Sequence, residues 1–450
     1  MRQIKQISEF GTIWNKKDFV NDSIQETFDC IYLDGASFQN LVGFVAENND
    51  TNSEVEQAFS FHRKRGKDFI RVKNFVGVLE TRRGTVIEVL PKIYNDKSLT
   101  DIEKKSKSKT LLFKMLRTLR NAPFKSIDQA HLKASKVPII EVFIAVFIME
   151  MELLLKKGIK HFYNSLNRNQ RFLKGRLLFT DNLKHNLSHR EKFFVQYDEY
   201  NADIPQNRIL KATLIYLKEK SRSSKNISEI QNLLSLFEDV RMPPNIEKDL
   251  LKINGQSRLF SHYQTVLQWA KVFLLNKSFL SYNGNHLNTA ILFPMETLFE
   301  SYAAYRIKQF DSNWEVSIQD RKHYLLHDLG LDTDKFRLKP DIVIKTATNT
   351  TIADTKWKLI NEDLPKINYN ISQSDMYQLY AYGKKYQNYD ENIHLVLIYP
   401  KSETFTNSLH FKFESNLFID AIPFDFEEEQ SSLSMLNELA PFIERNPVTF

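Results

Sequence analysis

Over residues 1–94, short apolar clusters alternate with polar turns: Cys30-Ile-Tyr-Leu33, Leu41-Val-Gly-Phe-Val45, Phe69-Ile-Arg-Val72, Phe75-Val-Gly-Val-Leu79 and Thr85-Val-Ile-Glu-Val-Leu90. Each predicts a short strand, and Glu80-Thr-Arg-Arg-Gly84 predicts a hairpin turn between the last two. This part reads as a β-rich domain, a small barrel or sandwich. A polar, Lys-rich stretch, 95–109, reads as a linker. Beyond it the apolar period lengthens to that of helices, at 110–120, 137–157, 208–220, 227–240 and 263–275. Pro138 falls near the first turn of the second, where proline is tolerated. Residues 110–284 therefore read as a helical middle domain. From 285 to 450 a helix (293–310), strands, a further helix and a strand (394–399) predict an α/β domain. The expected class is α+β multidomain.

Composition narrows the possibilities. The 450 residues allow roughly three domains. An apolar fraction of 42% and a charged fraction of 26% exclude a largely disordered chain. One cysteine, Cys30, excludes an intrachain disulfide and Cys-based zinc or iron–sulfur sites. The start has no apolar h-region, and the longest unbroken apolar run, 142–149, is too short to span a bilayer. A soluble, cytoplasmic protein with no membrane partner is expected. The net charge of +7 permits a nucleic-acid partner. Charge is uneven: residues 156–192 hold ten Lys/Arg and two Asp/Glu, and residues 401–450 hold three and nine. The basic stretch interleaves Arg168, Arg171, Lys174 and Arg176 with Phe162, Tyr163 and Phe172, so it is a candidate nucleic-acid or partner surface.

The chemistry is concentrated near the C-terminal end. Lys339-Pro-Asp-Ile-Val-Ile-Lys345 is an apolar strand with a carboxylate at its entrance, and Thr351-Ile-Ala-Asp-Thr-Lys-Trp357 follows a short polar turn. Two such strands form a hairpin. Residues two apart on a strand share a face, so Asp354 and Lys356 point the same way with Thr355 opposite, and Asp341 can reach the same pocket. Two carboxylates suit a hard divalent cation, Mg²⁺ first and Mn²⁺ as a substitute. Such an ion lowers the pKa of a water and offsets phosphodiester charge, while Lys356 orients that water or stabilises developing charge. A third acid would help hold the ion. Glu300 is the candidate, and Glu296, one turn earlier, is its rival. Metal ligands are thus expected at Asp341, Asp354 and Glu300. Pro340-Asp341 followed by Asp354-Thr-Lys356 is the PD-(D/E)xK nuclease pattern. Gln378-Leu-Tyr-Ala-Tyr382 matches the Gln-x-x-x-Tyr of RecB-like members, which puts Gln378 and Tyr382 on one helix face at the catalytic rim. Two other groups were weighed and read as ordinary surface chemistry: His323 and His327 at i, i+4, and Asp332 and Asp334 in a turn.

The segment Asp375-Met-Tyr-Gln-Leu-Tyr-Ala-Tyr-Gly383 after this pair resembles the McrC family. So do Phe293-Pro-Met-Glu-Thr-Leu-Phe-Glu300, Asp203-Ile-Pro-Gln-Asn-Arg-Ile-Leu-Lys211 and Leu173-Lys-Gly-Arg-Leu177, and more loosely Ile87-Glu-Val-Leu-Pro-Lys-Ile93. The resemblance implies the nuclease subunit of a GTP-dependent, modification-dependent restriction complex acting on double-stranded DNA in phage defence. It also implies a partner, an McrB-like AAA+ GTPase ring, with residues 1–94 as the docking part that stimulates it. The chain has no G-x-x-x-x-G-K-[ST] of its own, consistent with an external motor. The competing expectations are a self-sufficient RecB-like nuclease and a non-catalytic activator of the GTPase.

Overall fold

The computed structural model describes residues 4–19, 25–49, 58–92, 98–120, 122–127, 137–253, 258–275, 287–346, 349–387, 393–414 and 417–427. Its elements are β1 (Ile4–Ser8), β2 (Thr12–Asn15), β3 (Cys30–Leu33), α1 (Gly35–Asn49), β4 (Phe59–Lys64), β5 (Lys67–Val72), β6 (Phe75–Thr81), β7 (Val86–Leu90) and α2 (Asp101–Thr118). Then come α3 (Ile139–Lys156), β8 (Phe162–Gln170), β9 (Arg176–Leu177), α4 (Phe179–Asn186), β10 (Phe193–Asn201), α5 (Pro205–Lys220), α6 (Ser224–Ser235), α7 (Ile246–Ile253) and α8 (Gln264–Leu274). The rest are β11 (Leu287–Pro294), α9 (Met295–Phe310), β12 (Glu315–Ile318), β13 (Tyr324–Asp328), β14 (Thr333–Arg337), β15 (Ile342–Lys345), β16 (Thr350–Thr355), α10 (Gln373–Gln387), β17 (Ile393–Pro400), β18 (Leu409–Glu414) and β19 (Leu417–Phe424). Two compact units result: Met1–Lys136 with Phe279–Phe450, and Val137–Ser278. The fold is mixed α+β with several sheets.

In the first unit, β1-β7-β6-β11 form one sheet and β3-β2-β5-β4 another. The hairpin expected at Glu80–Gly84 is present: β6 and β7 pair antiparallel, and Gly84 takes φ +79°, which glycine adopts at no steric cost. The neighbour of β6 on its other side is β11, two hundred residues later, paired antiparallel from Leu287↔Thr81 to Pro294↔Phe75. Gly77 makes this approach possible, because a Cβ there would meet the Ile291 carbonyl oxygen at 2.1 Å. Residues 1–94 are therefore not a separate domain. They complete one sheet with a strand from the C-terminal third, because β6 is buried along its whole length and needs neighbours on both edges.

Residues 98–120 also correct the sequence reading. Residues 101–109 of the expected linker 95–109 and the start of the expected helical domain at 110 are one helix of the first unit, α2; residues 95–97 lie outside the described residues. Thr100 and Glu103 close a capping box at its start: the Glu103 N–H donates to Thr100 Oγ1 at 3.4 Å and the Thr100 N–H to Glu103 Oε2 at 2.8 Å. Lys109, one of the polar residues that suggested a linker, is 2% exposed and pairs at 3.1 Å with Glu88 on β7, itself 0% exposed. Gln6 Nε2 donates to the same carboxylate at 2.8 Å. The run Leu41–Val45, expected as a strand, lies inside α1, where Phe38, Leu41, Phe44 and Val45 are buried at helical spacing. Asp34 caps α1 by accepting from the N–H groups of Ala36 (3.1 Å) and Ser37 (3.0 Å).

The six-stranded sheet β12-β15-β16-β17-β19-β18 carries the candidate site. β15 and β16 form the expected hairpin, and β16, β17 and β19 run parallel. Leu417, Ile419 and Ala421 of β19 join Leu379, Tyr382 and Tyr386 of α10 in one cluster. By strand alternation Phe424 lies on the opposite face, where its ring meets Phe299 of α9 at 5.8 Å. One helix thus covers each face.

The second unit joins α3 and α5–α8 to a small sheet, β8-β10-β9. Trp269 and Phe273 of α8 pack against Phe143 and Phe147 of α3 in its core. The Asp203–Lys211 motif is structural. Arg208 clamps Asp203 at 2.7 and 2.9 Å, Arg241 also pairs with it, and Tyr263 Oη donates to buried Asn207 at 2.9 Å. Burial alone would raise the Asp203 carboxyl, but the two arginines outweigh it and hold it down at about 2. No helix among the described residues is long and apolar enough to cross a membrane.

Removing the Lys109 ammonium strands a charge inside the first unit. Lys109→Met is expected to lower its stability by about 3–5 kcal/mol, and Glu88→Gln/Lys109→Met to recover most of that loss. Chemical denaturation of the three proteins measures both.

Candidate active site

The site is built where the β15–β16 hairpin opens. One step beyond the paired Ile342 and Ala353, Asp341 comes opposite Asp354. Asp341 is half-buried, and Asp354 is 1% exposed. The Thr355 N–H and hydroxyl both donate to Asp341 Oδ2 at 2.8 Å. Thr355, expected to face away, is therefore the residue that fixes Asp341. Strict alternation ends at Thr355, where β16 stops.

Lys356 follows, its N–H donating to the Ile398 carbonyl of β17 at 2.9 Å. Its ammonium is in ion-pair contact with the buried Asp354 Oδ2, and among the described residues no other donor reaches that oxygen. Lys356 Nζ also donates to Gln378 Oε1 at 3.1 Å, and Gln378 Nε2 donates to Tyr382 Oη at 2.8 Å. The two α10 residues expected at the rim are thus joined to the lysine in a single chain of contacts. Asp375, buried at the start of α10, lies 4.0 Å from Lys356 Nζ and accepts from Lys358 Nζ at 2.9 Å. Sequence reasoning quoted Asp375 but gave it no role. An acidic residue in the first turn of the Gln-x-x-x-Tyr helix was the available signal.

The rival acids separate. Glu300 accepts from Gln319 Nε2 at 2.7 Å, and the Gln319 N–H donates to the Asp341 carbonyl at 2.7 Å. Glu296 instead accepts from Asn74, beside Glu9. Burial and then the charge of Asp341 raise the Glu300 carboxyl above the usual range. Burial, followed by the charge of Asp341, pushes Asp354 up to about 7 despite Lys356. Burial works against the Lys356 ammonium, but Asp354, Asp375 and Asp341 together raise it. Among the described residues no three His, Cys, Asp or Glu side chains converge as a metal-binding group, so Glu300 does not close on the two aspartates. Asp354 Oδ2, buried and met among the described residues by the Lys356 ammonium alone, fits a cation, and two carboxylates suit one that keeps its waters.

His327, read as ordinary surface chemistry, lies on β13 and bonds Asp334 and Asp332 at 3.0 and 3.1 Å at the exposed end of the β13–β14 hairpin.

A family model described as McrBC 5-methylcytosine restriction system component matches residues 70–400 of this chain. The chain belongs to that family. The match takes in β6, the whole second unit and the site from Glu300 to Tyr382. Among curated proteins, none is significantly similar in sequence. Among solved structures, a chain of a refined half-complex from a tetradecameric assembly of Thermococcus gammatolerans McrB AAA+ hexamers with bound McrC is similar. It is 17% identical, with TM-score 0.65, over 97% of this chain and 100% of that one. A chain of the Thermococcus gammatolerans McrBC complex, also 17% identical, covers 68% of this chain and 88% of its own at TM-score 0.45. The first likeness establishes a shared fold for this family member.

The site also leans on a residue that sequence reasoning missed. Trp357 Nε1 donates to both oxygens of Glu9, at 2.9 and 3.0 Å, and the Lys92 N–H donates at 2.9 Å. Burial raises the Glu9 carboxyl to about 8 against these donors. The unfolded chain ionises Glu9 near its ordinary pKa, so the penalty is absent below about pH 4.5, grows up to about pH 8 and is constant above. Glu9→Gln is expected to gain stability over the wild type across that window, by at most about 1.4 kcal/mol per pH unit, with no gain at pH 4. Unfolding midpoints of the two proteins from pH 4 to 9 check this.

Proposed function

We propose that this chain is the DNA endonuclease subunit of a GTP-driven, modification-dependent restriction complex, with a PD-(D/E)xK site at Asp341, Asp354 and Lys356. The observation that carries the reading is Asp354 Oδ2, buried beside a second carboxylate and answered only by Lys356. Asp341 and Asp354 would hold Mg²⁺ or Mn²⁺, with Glu300 behind Asp341. The bound ion would acidify a water and offset phosphodiester charge. The chain's own residues do the rest. Thr355 fixes the orientation of Asp341. Gln378, itself held by Tyr382, fixes the Lys356 ammonium where it can orient the attacking water and stabilise the oxygen on which charge develops.

The Thermococcus gammatolerans relative comes from an assembly of McrB AAA+ hexamers with bound McrC. We assign the present chain a partner of that kind, an AAA+ GTPase ring, which supplies the motor. Docking through residues 1–94 alone fits poorly with a sheet that those residues share with β11. The second unit offers a better surface. Around Arg168, Arg171 and Arg176 it exposes Tyr163, Phe172, Phe179, Leu183 and Leu187, apolar side chains of the kind that interface cores bury.

The test uses the full chain with its ring partner, GTP, Mg²⁺ and modified duplex DNA. Asp341→Asn, Asp354→Ala and Lys356→Ala are each expected to lose about 10³-fold or more in cleavage while keeping partner binding and GTPase stimulation. Glu300→Gln is expected to lose more activity than Glu296→Gln. Near-normal cleavage by Asp354→Ala or Lys356→Ala would overturn the assignment.

A further inference from the structure

We propose that the cleft between α2 and α9 binds the sugar-phosphate backbone of the DNA strand that runs into the Asp341–Asp354 site. This rests on the nuclease reading above. The cleft has a volume of about 780 Å³ and is lined by Lys114, Arg117, Arg120, Lys125, Arg306 and Lys308. Among the described residues lining it, none is Asp or Glu. Arg117, Arg120, Lys125 and Lys308 are exposed.

The arrangement follows from the two helices. Lys114, Arg117 and Thr118 share one face of α2, and Ser301, Tyr305 and Lys308 share one face of α9. Lys114 and Arg117 of α2 therefore face the same cleft as Lys308 of α9. Lys114 to Thr118 spans about 6 Å of α2 at 1.5 Å per residue, with Arg120 beyond the helix end, room for more than one phosphate at about 3.4 Å of axis per strand. A lone phosphate ion would leave most of this volume empty. Tyr305, 45% exposed, adds a ring on which a base or sugar can stack.

The cleft also abuts the site. Ser301 follows Glu300, and Ile318 precedes Gln319, which holds both Glu300 and the backbone of Asp341. Arg120 is near enough for its charge to lower the Glu300 pKa. A strand seated here reaches the two aspartates from the Glu300 side.

The test is Arg117→Gln/Arg120→Gln/Lys308→Gln in the full chain, all three positions being exposed. Binding to duplex DNA is measured with chelator present across a salt series. The slope of log affinity against log salt is expected to flatten by about 0.9 for each phosphate contact removed, about 2.7 for three. With ring partner, GTP and Mg²⁺, KM for DNA should rise while kcat stays near the wild-type value, since none of the three touches the reacting atoms. Wild-type affinity and slope in the triple variant, with wild-type cleavage intact, would overturn the cleft assignment and leave the nuclease reading standing. So would loss of binding to inorganic phosphate or free GTP with DNA binding unchanged, which would make the cleft a site for a small anion. Failure of the wild-type complex to cut DNA at all would instead overturn the nuclease reading.

Discussion

Two carboxylates and one ammonium share a corner in which Asp354 is buried and Asp341 and Lys356 half-buried, and this constraint organises the site. Ionised carboxylates side by side repel, and burial penalises each of them further. Lys356 answers only part of that charge, because Asp375 and Gln378 also claim it. The fold tolerates the mismatch by over-determining the geometry. The hairpin register sets Asp341 opposite Asp354, Thr355 spends both its donors on Asp341, and β17 holds the Lys356 backbone. Burial and the charge of Asp341 push the Asp354 carboxyl upward, and a cation at this corner would favour its charged form.

Three buried acids in the first unit show how differently the chain treats this problem. Glu88 has its own ammonium, Lys109, and serves to fasten α2 to β7. Glu9 has hydrogen-bond donors but no matching cation in contact, and its pKa rises accordingly. Asp354 has a cation that others share, and among the described residues no other donor reaches its buried Oδ2. The first arrangement is closed, and the second is satisfied by geometry. Among the described residues the third has no donor of its own beyond the shared lysine, which sets it apart from the two closed arrangements.

The legible parts of this protein were those where neighbours in sequence are neighbours in space. The β6–β7 and β15–β16 hairpins and the α10 pair Gln378 and Tyr382 all rest on local spacing, and the structure has each of them. Readings failed where a distant segment decided the outcome. Lys109 looked like linker chemistry because nothing local announces Glu88 as its partner, although Thr100-Asp-Ile-Glu103 was a capping signal in plain view. The β-rich start looked self-contained because the strand that completes its sheet begins at Leu287. Strand alternation points Thr355 away from Asp341, yet as the last residue of β16 it turns both its N–H and its hydroxyl to that carboxylate. Asp375 and Glu9 were invisible as site elements, since their contacts with Lys358 and Trp357 cross from one element to another.

The Glu9–Trp357 contact bears on how the site is held in place. Trp357 is the residue after Lys356, and its indole is fixed at one edge by Glu9 and stacked edge-on against Phe299 of α9. Backbone position at Lys356 is thereby set from three directions: β17 through the Ile398 carbonyl, α9 through Phe299, and the turn after β1 through Glu9. Glu300 leaves the same helix one residue after Phe299. A displacement of the N-terminal sheet would therefore move the lysine and its neighbouring acid together, because β11, which belongs to that sheet, runs directly into α9. The N-terminal residues are thus part of the frame of the candidate site, joined to Lys356 and Glu300 by covalent continuity from β11 into α9 and by the buried Glu9–Trp357 pair.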